Sequence, residues 1–221
     1  MKLQRDLIIT SDGSHSIHVP GLNEHYHSIH GAVQESMIVF VKNGYNFCRT
    51  DKIDILEIGF GTGLNALLTL ERNFTDKKKV NYTSVEKYPL EKEITDKLNY
   101  EGFVCDDLKG MLAGIHSAPW GSPVKITDSF VLTKLRSDLI SDRVSGCYNL
   151  IYFDAFGPDK QPEMWEEPVF RKIEAVTKPG ALFVTYSAKG SVKRLLRSCG
   201  FRVTLLPGPP GKREMIRAVK N

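Results

Sequence analysis

The 221-residue sequence contains no uninterrupted apolar run of about 18 residues, the length that a membrane-spanning helix requires. Its first six residues lead into no long apolar segment, so we expect no secretory signal. The four cysteines are far apart and form no C-x-x-C pair, which argues against a zinc or redox motif built on cysteine. These absences predict a reduced, cytoplasmic protein that makes no membrane contact.

Metal-binding histidine motifs are also missing. Three histidines lie close together, at His25, His27 and His30, but no H-E-x-x-H pattern or fourth ligand accompanies them, so we predict no metal site. These histidines are either hydrogen-bonded structural groups or polar groups that line a substrate entrance. In the second case, Tyr26 and Glu35 would line the same entrance and contact the substrate.

Positive charge is concentrated near the end of the chain. From Lys189 onward there are nine cations and one anion, a net charge of +8, whereas the whole chain carries +4, so the remainder carries −4. A solvated helix face explains part of this cluster. A polyanion such as RNA would explain the asymmetry, because phosphate groups are neutralised by clustered Lys and Arg.

The size of the chain and its 41% hydrophobic content predict one α/β domain with a small elaboration. We divide it into an extension over residues 1–50 and a main domain over residues 51–221. The extension is predicted to contain a hairpin that turns at Asp12-Gly13, followed by a helix that ends before Gly44. The apolar face of that helix is predicted to comprise Val33, Met37, Phe40 and Val41.

The stretch from Asp54 to Gly63 organises the main domain. An apolar strand runs into a glycine-rich turn that opens a helix, an arrangement typical of a nucleotide site. The pattern Glu57-x-Gly59-x-Gly61-Thr62-Gly63 differs from the dinucleotide fingerprint G-x-G-x-x-G because an acid precedes the glycines. It resembles motif I of the class I S-adenosylmethionine-dependent methyltransferases. The resemblance implies that Glu57 approaches the methionine ammonium and that the turn, including Phe60 and Thr62, backs the cofactor.

Acidic residues follow two further predicted strands. Glu86 ends the second strand, where a doubly wound fold holds a ribose, and it lies roughly twenty residues beyond the glycine turn. Asp138 follows the predicted third parallel strand, where an acid commonly meets the adenine amino group, and Asp142 is its rival. Both aspartates are also ordinary helix-cap or loop residues.

A later strand ends at Asp154, within the sequence YNLIYFDAFGP. This position borders the ligand crevice, so we predict that Asp154 faces the reacting end of the cofactor, although a helix or loop cap is the alternative. Phe156, Pro158 and Trp165 offer flat apolar surface for a planar base, but Trp165 also suits the core.

Three more strands complete a Rossmann-like, seven-stranded, mostly parallel sheet with a terminal reversed hairpin and helices on both faces. Lys212 and Arg213, in the loop before the last strand, are predicted to contact phosphate.

Four blocks of this chain resemble, in order and spacing, the methyltransferase module of the tRNA-modifying MnmC family in its stand-alone, MnmD-like form. They are GLNEHYHSIHGAVQES, LEIGFGTGLNALLTL, YFDAFGPDKQPEMWEEPVF and GPPGKREMIRA. The resemblance extends from about Asn23 to Val219, is weak from Tyr100 to Ser137, and leaves no room for the flavin oxidase domain of fused MnmC proteins.

The resemblance implies methylation of the 5-aminomethyl group on the wobble (2-thio)uridine of tRNA, with S-adenosylmethionine as cofactor. Asp154 would bind and orient the amine nitrogen and take its proton. Two alternatives remain: an enzyme that acts on a small amine, in the manner of spermidine synthases, and a non-catalytic module that binds the cofactor or tRNA.

Overall fold

The computed structural model describes residues 4–221, which form two β-sheets and the helices that flank them. The strands are β1 (Asp6–Ile9), β2 (His15–Val19), β3 (Glu24–His25), β4 (Lys52–Ile58), β5 (Lys79–Glu86), β6 (Pro123–Thr127), β7 (Phe130–Arg136), β8 (Tyr148–Phe153), β9 (Thr177–Thr185), β10 (Phe201–Pro207) and β11 (Glu214–Lys220). The α-helices are α1 (Ala32–Ser36), α2 (Leu64–Asp76), α3 (Lys92–Thr95), α4 (Met111–Ser117), α5 (Glu167–Ala175) and α6 (Gly190–Ser198). A π-helical segment, Met37–Lys42, continues α1, and short 3₁₀ turns cover Pro20–Leu22, Tyr45–Phe47, Tyr100–Phe103, Asp106–Leu108 and Pro162–Trp165.

The main sheet determines where a ligand can bind. Its order is β10-β11-β9-β8-β4-β5-β7-β6, and the five strands from β9 to β7 are parallel. After β4 the chain forms β5, which lies on one side of β4, and it later forms β8, which lies on the other side of β4. The strand order therefore reverses at β4. In an open parallel sheet, the crevice at such a reversal, outside the carboxyl ends of the strands, is the usual ligand site.

The sheet has eight strands, one more than predicted. The additional strand is β6, which pairs antiparallel with β7 at one edge of the sheet. The sequence had indicated a hairpin here whose second arm is the third parallel strand, but its first arm was not counted in the sheet. The Rossmann-like fold and the reversed β10–β11 hairpin are otherwise as predicted.

The two faces of the sheet carry separate hydrophobic clusters because successive side chains of a strand point to opposite faces. Ile53 and Ile55 of β4 face the cluster that α2 covers. Leu56 and Ile58 face the other cluster, which includes residues of α5 and α6. Glu57 belongs by this alternation to the α2 face, together with Ile53 and Ile55.

The predicted N-terminal hairpin is present as the β1–β2 pair. The following helix differs from the expectation, because its second half is π-helical and the buried face rotates. Val39 is buried with Phe40 and Val41, whereas Val33 and Met37 are only partly buried. The division at residue 50 remains a prediction. None of the helices formed by residues 4–221 has the length and apolar character that a membrane crossing requires.

Candidate active site

A cavity of about 590 Å³ opens where the carboxyl ends of β4, β5 and β8 meet. Residues of the N-terminal segment, Tyr26 and Glu35 among them, form part of its wall. Its volume lies within the range of small-molecule sites, which are usually about 300–1,000 Å³. The cavity therefore coincides with the ligand position that the strand order predicts.

The glycine turn between β4 and α2 forms the floor of this cavity. Gly59, Gly61 and Gly63 have φ angles of +94°, +50° and +73°, a backbone region that favours glycine. A β-carbon on Gly59 would lie 2.6 Å from the backbone oxygen of Asp154, so the turn and the end of β8 pack without room for a side chain. Gly59, Phe60, Gly61 and Thr62 line the cavity, whereas Gly63 lies behind it as the N-cap of α2.

Glu86 connects the end of β5 to the glycine turn. One carboxylate oxygen accepts a hydrogen bond from the Gly61 N–H at 3.1 Å, and the other accepts from the Tyr88 N–H at 2.8 Å. Each carboxylate oxygen can accept a further hydrogen bond, so Glu86 retains acceptor capacity on the cavity wall.

The two rival aspartates after β7 have different positions. Asp138 lines the cavity and forms an ion pair with Lys87 at 2.7 Å. The hydrogen bond from Lys87 lowers the pKa of Asp138, which keeps it ionised at neutral pH. Asp142 does not line the cavity, and its carboxylate accepts from Ser137 Oγ and from the backbone N–H of Asp138. The structure thus brings Asp138, and not Asp142, to the cavity.

Asp154 lies directly after β8 and reaches the cavity from the α2 face. Asn65 Nδ2, in the first turn of α2, donates to Asp154 Oδ2 at 2.8 Å. Burial raises the pKa of Asp154 to about 7, and the negative charge of Glu35 adds to the rise, whereas the Asn65 hydrogen bond and Lys212 oppose it. A carboxyl group with this pKa can hold or release a proton near neutral pH.

Another carboxylate, Glu35 of α1, lies on the same wall and is only 5% exposed. It forms an ion pair with Lys212 and accepts from the Ser28 N–H at 2.7 Å. The Lys212 ammonium also lies 3.8 Å from the centre of the Tyr186 ring. This part of the cavity wall therefore combines the carboxyl groups of Asp154 and Glu35 with the Lys212 ammonium and an aromatic face.

Five predicted site residues do not line the cavity: Glu57, Gly63, Pro158, Trp165 and Arg213. Glu57 is completely buried because it lies within β4, on the face that α2 covers, whereas Asp154 on the same face lies beyond the end of its strand. Trp165 packs against Phe153 with ring centres 4.8 Å apart, and its Nε1 donates to the Phe156 backbone oxygen at 2.7 Å. Trp165 is therefore a core residue, the alternative that the sequence had left open.

The sequence did not single out Asn65 or Tyr186, both of which line the cavity. Asn65 follows the glycine turn by two residues, and this position at the start of a helix was its only signal. Tyr186 follows β9, and its hydroxyl donates to the Ala155 backbone oxygen at 2.8 Å. Residues just beyond the carboxyl ends of parallel strands are cavity candidates as a class, so Tyr186 was accessible to the same reasoning as Asp154.

The clustered histidines occupy different environments. Burial lowers the pKa of His27 to about 4, so its ring is neutral at pH 7, and its Nδ1 lies 3.2 Å from Ser16 Oγ. His25 stacks on His18 with ring centres 4.6 Å apart, and both His25 and His27 line the cavity. Within residues 4–221, no group of three or more His, Cys, Asp or Glu side chains is suited to hold a metal ion.

Comparison with known proteins shows which protein family this chain resembles. Residues 129–221 match the model of a family described as S-adenosyl-L-methionine-dependent methyltransferases. The chain is similar to the tRNA 5-methylaminomethyl-2-thiouridine biosynthesis bifunctional protein MnmC of Leptospira interrogans, with 32% identity over 206 residues, which are 86% of this chain and 32% of the relative. The MnmC protein of Campylobacter hominis is 32% identical over 197 residues, 85% of this chain and 28% of the relative. The chain thus spans about a third of the length of these curated relatives.

Solved structures support the fold. MnmC2 from Aquifex aeolicus has a TM-score of 0.80 and 24% identity, with coverage of 98% of this chain and 70% of that one. Spermidine synthase from Thermotoga maritima has a TM-score of 0.57 and 14% identity, with coverage of 100% and 75%. The family model thus indicates an S-adenosyl-L-methionine-dependent methyltransferase over residues 129–221, the relatives at 32% identity are MnmC proteins, and the solved structures support the fold.

Proposed function

We propose that this chain transfers the methyl group of S-adenosylmethionine to the aminomethyl nitrogen of 5-aminomethyl-(2-thio)uridine at the tRNA wobble position, giving 5-methylaminomethyl-(2-thio)uridine. The names of the MnmC relatives support the substrate. The observation that carries the proposal is the half-buried Asp154 on the cavity wall, since an amine is the group that such a carboxylate holds and deprotonates. A tRNA substrate would place the reaction in the cytoplasm.

The cavity residues fit S-adenosylmethionine, which supplies an electrophilic methyl group. Glu86 would accept from the ribose hydroxyls, and Asp138 would accept from the adenine amino group. The cradle at Gly61 has little room for a side chain, since a β-carbon there would lie 3.2 Å from the Tyr26 ring. The glycine turn would therefore back the cofactor with main chain alone.

Asp154 would act on the amine in two ways. An aminomethyl group is largely protonated at neutral pH and cannot attack until it loses its proton. Asp154 can accept that proton and hold the nitrogen in line with the methyl group, at the ~3–3.5 Å that such an attack requires. Exclusion of water from this buried wall would favour the neutral amine.

Other cavity residues would receive the nucleoside. Tyr26 and Phe156 meet edge to face, with ring centres 5.2 Å apart, and offer apolar surface to a planar base. Trp165 would support this surface indirectly, because its Nε1 holds the Phe156 backbone, whereas Pro158 does not line the cavity. Glu35 and Lys212 would contact polar groups near the aminomethyl arm.

The activity should depend on pH through Asp154. With a pKa of about 7, Asp154 is mostly protonated at pH 6 and mostly ionised at pH 8, so we expect kcat/KM to rise about tenfold between them. Glu35→Gln removes a charge that raises this pKa, and Lys212→Met removes one that lowers it. We therefore expect the midpoint of the pH profile to fall in the first variant and to rise in the second. A midpoint that is the same in both variants would assign the titration to the substrate amine alone.

A charge reversal at Arg213 tests whether the basic loop between β10 and β11 contacts phosphate. Arg213 is exposed and lies outside the cavity, so a role in phosphate contact predicts that Arg213→Glu raises the KM for tRNA about three- to tenfold. The dissociation constant for S-adenosylmethionine, measured by calorimetry, should not change. Lys125→Glu, on the edge strand at the opposite side of the sheet, is the matched charge-reversal control. Equal effects of both substitutions would show general charge repulsion and no specific contact.

The function itself is tested with tRNA from cells that lack the wobble modification. Methyl transfer from labelled S-adenosylmethionine, followed by nucleoside mass spectrometry, should reveal 5-methylaminomethyl-uridine. Transfer into tRNA that carries only the carboxymethylaminomethyl precursor is not expected without an added oxidase. Cofactor binding with no transfer to tRNA would instead favour a small amine substrate, which the carboxylates of Asp154 and Glu35 would also accommodate.

A further inference from the structure

Three polar side chains form a buried row on the α2 face of the sheet, next to the cavity. Asn65 lies in the middle, with Asp154 on one side and Glu57 on the other. Its Nδ2 donates to Asp154 Oδ2 at 2.8 Å, and it is near enough to Glu57 to lower the pKa of that carboxyl group. Glu57 and Asn65 are 0% and 4% exposed. The row arises because Glu57 lies beside Tyr152 in the β4–β8 register, and Asp154 follows Tyr152 by two residues on the same face.

The hydrogen bonds within this row leave two acceptors without a donor. Glu57 Oε2 accepts from Ser84 Oγ, but Glu57 Oε1 and Asn65 Oδ1 are buried without a partner, as is the neighbouring Tyr82 hydroxyl, which can donate to only one of these two oxygens. In the described chain, the groups that face Glu57 are Ser84, Tyr82, Tyr152, Asn65 and Asp154, none of which is a cation. A buried carboxylate with no cation beside it is unfavourable, whereas one proton on Glu57 removes the charge and supplies a donor to the row.

The pKa of Glu57 agrees with this geometry. Burial raises the pKa of Glu57 to about 8, the negative charge of Asp154 adds to the rise, and the hydrogen bond from Ser84 opposes it. Of the two acids that flank Asn65, Glu57 therefore keeps its proton at neutral pH while Asp154 titrates. Glu35 and Lys212 face Asp154 from the opposite, cavity side.

We infer that Glu57 is a protonated positioning residue, not a ligand of the cofactor ammonium, and that through Asn65 it orients Asp154 toward the amine. Glu57 is neutral in this role and acts only by hydrogen bonding. Asn65 occupies one oxygen of Asp154, which leaves the other oxygen free for the amine. The orientation of Asp154 rests on the proposed function, whereas the protonation of Glu57 does not.

Glu57→Gln distinguishes a protonated positioning residue from a carboxylate that binds the cofactor ammonium. Glutamine has the shape of a protonated glutamate but cannot carry a negative charge. We expect this variant to bind S-adenosylmethionine within about threefold of the unmodified protein, measured by calorimetry, and to keep its turnover. A carboxylate that paired with the ammonium would lose at least about tenfold in affinity on the same change. Glu86→Gln, an acid at the neighbouring strand end that does face the cavity, is the matched control and should weaken binding.

The pH dependence of folding gives a second readout that needs no substrate. A carboxyl group whose pKa is raised on folding contributes less stability as the pH rises from its unfolded to its folded pKa. For Glu57 this window lies between about pH 4.5 and pH 8. Denaturant unfolding at pH 6.5 and pH 8 should therefore show a loss of stability that is smaller in Glu57→Gln.

The positioning role is tested with Glu57→Leu, which is apolar and cannot hydrogen-bond Asn65. Turnover should fall at least tenfold in this variant, cofactor affinity should remain, and glutamine should restore the rate. Tenfold weaker cofactor binding by Glu57→Gln, or an unchanged pH dependence of its stability, would overturn the protonated state. Full turnover in Glu57→Leu would overturn the positioning role. Because cofactor binding and unfolding involve no methyl-accepting substrate, their results stand even if tRNA proves not to be the substrate.

Discussion

Asp154→Ala is expected to abolish detectable methyl transfer, a loss of about 10²–10⁴-fold, while the affinity for S-adenosylmethionine stays within about tenfold. The substitution removes the group that takes the proton and holds the nitrogen. It leaves the backbone oxygen of Asp154, which packs against Gly59, in place. Single-turnover kinetics with tRNA and calorimetry with the cofactor would measure the two effects separately.

Asp159→Ala is the matched control for this experiment. Asp159 lies in the same loop after β8, but its side chain is largely exposed and pairs with Lys189. Turnover in this variant should remain within about twofold, as is usual for an exposed ion pair. Normal turnover in Asp154→Ala would remove Asp154 from the proposed mechanism.

Gly59→Ala is expected to weaken cofactor binding by at least about a hundredfold. The added β-carbon would lie 2.6 Å from the Asp154 backbone oxygen, a contact that neither backbone segment can relieve by moving a side chain. The φ angle of +94° adds strain of about 1–3 kcal/mol for any residue other than glycine. The glycine turn and the end of β8 must therefore separate, and both carry groups that line the cavity. Calorimetry gives the affinity, and thermal unfolding gives the cost in stability.

Alanine substitutions at two further glycines provide comparisons for Gly59→Ala. Gly61→Ala should have a smaller effect, because the nearest atoms to its β-carbon belong to the Tyr26 ring, which can shift. Gly102→Ala should have none on affinity, since nothing lies within 4 Å of its β-carbon. If Gly59→Ala bound the cofactor as tightly as Gly102→Ala, the close packing of the turn against β8 would be irrelevant to binding.

Local patterns predicted much of the fold because they report on short-range physics. The apolar run before Gly59 indicated a central strand, and the glycines marked a backbone that few other residues adopt. The same patterns failed where the outcome depended on neighbours. Edge strand β6 owes its place to pairing with β7, and the π-helical segment Met37–Lys42 rotates the buried face by a change of hydrogen-bond register that the periodicity does not encode.

The sequence by itself determined which chemical groups collect at one edge of the sheet. Glu86 and Asp154 end parallel strands, and the carboxyl ends of parallel strands share an edge, so both acids had to lie near the glycine turn. Only the tertiary structure decided which way each acid points, because that depends on the pleat and on the helix that covers each face. Glu57 precedes the glycines in the motif, yet α2 covers its side of the sheet, and it is buried beside Asn65 and away from the cavity.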